Sequence, residues 1–106
     1  MAASQFNDQA TLQSDGQILV SGDQQVQPLS SGPEVEYRFL LIRGDVVVKG
    51  TGQGHGSQWT GLTDLNEPPL DPGPVLAVGL AILARRGPNP GFTTFGWSEQ
   101  VELVRG

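Results

Sequence analysis

The chain contains no cysteine. That excludes a disulfide framework, a thiolate zinc site and a cysteine nucleophile. It removes one argument for secretion without excluding secretion. Histidine occurs once, at His55, so histidine acid–base chemistry would rest on a single residue. Bases are scarce: six Lys and Arg stand against eleven Asp and Glu, for a formal net charge of −5. A nucleic-acid-binding surface needs a basic stripe, and the nearest approach to one is the pair Arg85-Arg86. Nucleic acid is therefore disfavoured as a partner, and an acidic surface also disfavours anionic membranes. Long hydrophobic runs are missing too. The longest, Val75 to Ala84, has ten residues, whereas a membrane-spanning helix needs about 20. The first residues lack a basic region followed by an apolar stretch, so they do not read as a signal peptide. The expectation is a soluble chain whose compartment stays open.

Turn formers are abundant: fifteen glycines and eight prolines in 106 residues. That length suits one domain, able to bury about two thirds of its unfolded surface without metals or disulfides. Many turns in a short chain mean many short elements, which favours an all-β fold. Residues 1–14 read as a polar arm or edge strand, and 15–106 as one domain.

A candidate strand runs from Gln17 to Gln27, with Asp23 near its middle as a weak point. Pro28–Pro33 reads as a loop. The clearest pattern follows. Glu34–Ile42 is β-rich and alternating, and Arg43-Gly44-Asp45-Val46 leads into Val46–Lys49. Glycine first in a two-residue loop suits a type II′ hairpin, because that position needs positive φ. With Gly44-Asp45 as the loop, Arg43 pairs with Val46, Leu41 with Val48, Phe39 with Gly50, Tyr37 with Gly52 and Val35 with Gly54. Bulky inward residues then lie across glycines, while Glu36, Arg38, Lys49, Thr51 and Gln53 share the other face. Arg43-Gly44-Asp45 also spells the tripeptide of integrin-binding loops, but the hairpin already accounts for its glycine.

Ser57–Thr63 either continues this strand past a bulge or starts another. Asp64–Gly73 is an acidic, proline-rich loop. In Pro74–Ala84 the large residues Leu76, Val78, Leu80 and Ile82 alternate with Ala77, Gly79 and Ala81. That period of two reads as a buried central strand, with a helix as the alternative. Gly87–Gly91 is a turn signal. The last strand, about Thr93 to Val104, carries Phe95, Trp97, Val101 and Leu103 on one parity. Glu99 interrupts it and points to a bulge or an exposed edge. Six or seven strands result, arranged as a two-sheet antiparallel β-sandwich. The chain resembles immunoglobulin-like domains in size and strand count.

Candidate chemistry is thin. The hairpin register puts Glu34 across from His55, so a cross-strand ion pair is the alternative to a catalytic role, and with no Gly-x-Ser-x-Gly nucleophile motif to serve, catalysis by His55 is not expected. A hydrolase built from the Asp64–Asp71 carboxylates and His55 is the weakest reading. Asp64, Asn66, Glu67 and Asp71 offer oxygen ligands of the type calcium takes, although their spacing matches no calcium loop. Trp59 and Trp97, with His55 and Gln58 nearby, form a candidate ligand platform if the indoles face solvent, carbohydrate being the most plausible ligand. No cofactor is implied. The expected function is a non-catalytic structural or interaction module, associating with itself or another protein through its arm or sheet edges. The glycine-rich strand, which admits close backbone approach and specifies register weakly, supports this.

Overall fold

The computed structural model describes residues 8–23, 35–55, 58–85, 88 and 91–106. Residues 1–7 of the arm, Gln24–Gln27 of the candidate strand, the Pro28–Pro33 loop and most of the Gly87–Gly91 turn lie outside them. So do Glu34, which the hairpin register continues to pair with His55, and the side chain of His55 itself. The described chain forms seven strands: β1 (Gln9–Leu12), β2 (Ile18–Asp23), β3 (Val35–Arg43), β4 (Val46–His55), β5 (Gln58–Thr63), β6 (Gly73–Arg85) and β7 (Gly91–Arg105). None of the described residues is helical. Thus no helix among them is long and apolar enough to cross a membrane.

The class is all-β, but the arrangement is not a two-sheet sandwich. The strands close into one barrel in the order β1-β2-β5-β4-β3-β6-β7. β3, β4 and β5 are consecutive antiparallel neighbours, and β6 returns to pair with β3, which is a Greek key. β1 joins β2 antiparallel and β7 parallel, so the strand read as a possible edge is paired on both sides. Closure is a relation between the first and last strands, and local alternation carries no trace of it.

The β3–β4 register matches the sequence reading residue for residue, from Val35↔Gly54 to Arg43↔Val46. Gly44 has φ of 57° and Asp45 does not enter positive φ, as a type II′ turn requires. Ser57–Thr63 resolves into a separate strand from Gln58, which pairs with His55. The glycines make room in two ways. A Cβ on Gly50 would meet the Phe39 ring, whereas one on Gly52 would meet the backbone of Thr60 and Gly61. Strands β4 and β5 therefore approach more closely there than side chains permit.

β6 is a strand over its whole length, as its alternation suggested, but it is buried on one face only. Ala77, Gly79 and Ala81 face the interior, while Leu76 and Leu80 are exposed and Val78 is half-buried. The interior opposite β6 is already filled by rings. A Cβ on Gly79 would collide with the indole of Trp97. β7 pairs with β6 in one unbroken register from Gly73↔Leu103 to Arg85↔Gly91. No bulge occurs at Glu99, which keeps the inward parity and is half-buried.

The ends of the barrel are tied by side chains. At the β1–β2 turn, Asp15 Oδ1 accepts from the Gln17 N–H (2.9 Å) and Gly16 takes φ of 92°. Buried Thr63 receives the Ile18 N–H on Oγ1 (2.9 Å), and its carbonyl accepts from Gln17 Nε2 (2.8 Å). The 64–72 connection crosses one end with Leu70 buried in the core.

Gly52→Ala should destabilise the fold by about 1–3 kcal/mol, because backbone rather than a movable side chain blocks its Cβ. Gly96→Ala has only ordinary contacts to make and should stay within about 0.5 kcal/mol of wild type. Urea denaturation of both variants checks the contrast.

Candidate functional site

Strand pairing collects four aromatic residues in the barrel interior. Tyr37 stacks on Trp59 at 4.7 Å between centroids and 12° between planes. Trp97 meets both rings edge-on, at 5.9 Å from Tyr37 and 5.6 Å from Trp59. Phe39 tilts against Trp59 at 5.8 Å. Such offset and edge-to-face contacts add to area burial. Trp59 fits because its cross-strand neighbours on both sides, Gly22 and Gly54, are glycines.

Two acids reach this cluster. Asp8, just before β1, accepts the Trp97 indole N–H on Oδ2 (3.0 Å). Its Oδ1 is buried, and the buried Trp59 indole N–H also acts on this carboxyl. Glu99 of β7 acts on Asp8 through both charge and hydrogen bonding. Burial pushes the Asp8 carboxyl up to about 7; the Trp97 hydrogen bond opposes this and the Glu99 charge reinforces it. Burial and the nearby Asp8 charge push the Tyr37 phenol up to about 12, so it remains protonated. The arrangement can hold or release one proton in an aromatic interior. Neither acid was a candidate in the sequence reading. Glu99 carried a signal, its place on an otherwise apolar parity. Asp8 carried none, because its position depends on barrel closure.

A second feature lies outside the barrel. A groove of about 760 Å³ runs over the β4-β3-β6 wall, lined by Glu36, Arg38, Leu40, Lys49, Leu80 and others. Arg38 Nε is paired to Glu36 Oε2 at 3.1 Å. Leu40 lies opposite Val78 across β3–β6, and Ile42 opposite Leu76 and Val47 on its two sides. The outer wall therefore carries a continuous apolar stripe.

Compared with known proteins, the chain matches no family model and no curated sequence.

The sequence candidates are dispersed. Trp59 and Trp97 do meet, but inside the barrel: Trp59 is 2% exposed and Trp97 half-buried. Gln58 is exposed; adjacent strand residues point to opposite faces, so Gln58 and Trp59 share no surface. Among the described residues no group of three or more potential metal-binding side chains gathers. Asp64, Asn66, Glu67 and Asp71 belong to a strap instead. The Asp64 N–H donates to the Lys49 carbonyl (2.9 Å) and Glu67 Oε1 accepts from the Lys49 N–H (2.7 Å). Asn66 turns the chain at φ of 66°. The Asp71 carbonyl accepts from Arg43 Nη1 (2.7 Å) and the Pro74 carbonyl from Arg43 Nε (3.1 Å). Arg43 is thereby committed to the strap.

With Trp97→Phe, Trp59 becomes the sole tryptophan. Its emission should be blue-shifted and resist iodide quenching. A red-shifted, quenchable signal would contradict its burial.

Proposed function

We propose that this chain is a non-catalytic interaction module that self-associates by packing the outer β4-β3-β6 wall of one copy against that of a second. The observation that carries the reading is the apolar stripe: Leu40 and Leu80 are 37% exposed, Leu76 42% and Val47 46%. Contiguous exposed apolar surface of this kind marks an interaction face. The occupant follows from charge. The chain carries −5 overall, yet the groove holds two acids, Glu36 and Asp64, and two bases, Arg38 and Lys49. A two-fold interface brings one patch against itself, and a locally balanced rim lets acid meet base across the axis.

This places association on a sheet face rather than on an edge or the arm. Pairing of β1 on both sides takes away the support for strand addition there. Ligand binding on exposed tryptophan also has less support, since Trp59 is buried and the Trp97 N–H is engaged by Asp8.

Light scattering after size exclusion, over a hundredfold concentration range, should show a mass that rises to that of a dimer. Leu76→Glu or Leu80→Glu should weaken association roughly 30-fold or more, the effect of a hot-spot loss. Val104→Glu, on the β1–β7 side of the wall, should not. A wild-type monomer throughout would defeat the proposal.

A further inference from the structure

The barrel wall is not equally strong all round. β1 has four residues and is the sole strand linking β2 to β7 among the described residues. Its parallel ladder to β7 has three pairs, Ala10↔Leu103, Thr11↔Val104 and Leu12↔Arg105. The Gly106 N–H adds one bond to the Leu12 carbonyl (2.9 Å). Every other neighbouring pair of strands has at least four paired positions. Among the described residues this seam is the shortest ladder in the wall, and a short ladder is where local opening costs little.

Asp8 stands at the head of the seam strand, and its carboxyl is turned into the barrel rather than out to water. The groups that face it come from three other strands. β7 supplies Glu99 and the Trp97 N–H, β5 supplies Trp59, and β3 supplies the Tyr37 phenol. Opposite Glu99, β6 supplies Ala77, which has no charge. No basic side chain among the described residues acts on Asp8. Two carboxyl groups thus share an aromatic interior with a neutral phenol and indole N–H groups. Burial with no cation beside it favours the protonated form of the Asp8 carboxyl.

We propose that Asp8 and Glu99 form a proton-operated latch on the barrel seam. With the proton held on Asp8, β1 stays seated against β7. When that proton passes to solvent, two carboxylates face each other at the aromatic cluster, and the head of β1 is driven outward. No covalent bond but the O–H is broken; the Trp97–Asp8 hydrogen bond and the β1 ladder bonds give way to water. Release of β1 uncovers the edges of β2 and β7, so the latch sets the pH above which this chain exposes strands for pairing.

The folded chain holds the Asp8 proton more tightly than the unfolded chain, since its carboxyl lies near 7 instead of 3.8. The stability it confers is complete below the ordinary carboxyl range and is lost as pH rises through about 7. Amide hydrogen exchange, expressed as protection factors between pH 5 and 9, reads the seam directly. In wild type, protection of Ala10–Leu12 should fall roughly tenfold or more across that window, the effect of one unit of pKa shift, while β3–β4 amides hold theirs. Asp8→Asn keeps an acceptor for Trp97 and removes the charge. It should hold β1 protection flat and leave the protein more resistant to urea than wild type at pH 8. Parallel wild-type and Asp8→Asn profiles would overturn the latch, as would equal loss of protection in β3–β4. Glu99→Gln supplies a second reading should Asp8→Asn not fold. It should move the pH midpoint of tryptophan emission downward, and an unmoved midpoint would overturn the proposal equally.

Discussion

Tyr37, Phe39, Trp59 and Trp97 must fit side by side within a narrow seven-stranded wall, and the space they need dictates what stands around them. Interiors pack at crystal-like density, so a large ring at one position requires a small residue across from it. Gly50 and Gly61 make room for Phe39, Gly54 for Tyr37 and Trp59, and Gly79 for Trp97. The glycine-rich β4 is the complement of the aromatic residues on its neighbours. Its weak intrinsic preference for a strand is offset by the packing that its missing side chains allow.

The same constraint shapes the outside. With rings filling the interior opposite β6, Ala77, Gly79 and Ala81 turn inward and Leu76 and Leu80 turn out. They join Leu40 and Val47 on the outer wall. An apolar outer face is thus a consequence of how the interior is filled, and it is bordered by charges of both signs. Core packing and the proposed association surface are two sides of one strand.

The seam obeys a different logic. Asp8 is placed where a carboxylate is poorly accommodated, against indole and phenol rings, near Glu99 and beside the shortest ladder among the described residues. Well-packed apolar residues would close this joint more firmly. The proposed latch makes closure conditional on a proton, at the strand held by the shortest ladder among the described residues.

Much of the local structure was legible in sequence. The Gly44-Asp45 turn and the alternation on either side determined the β3–β4 register, because a two-residue hairpin leaves no freedom in which residues face each other. Period-two alternation identified β6 as a strand despite its helix-compatible composition. Which side of β6 faced inward was not legible, since both parities are apolar and the choice depends on rings contributed by β3, β5 and β7. Barrel closure was hidden for a similar reason. It joins β1 to β7 across nearly the whole chain, and three paired positions leave no periodic mark. The carboxyl pair inherits that blindness: Glu99 could be seen as out of place on its strand, but its partner is 91 positions earlier and meets it only when the wall closes. Sequence alone determined the strands and their local turns, because those depend on neighbours in the chain. The tertiary structure decided the inside, the outside and the seam, because those depend on volume and charge brought together from strands far apart.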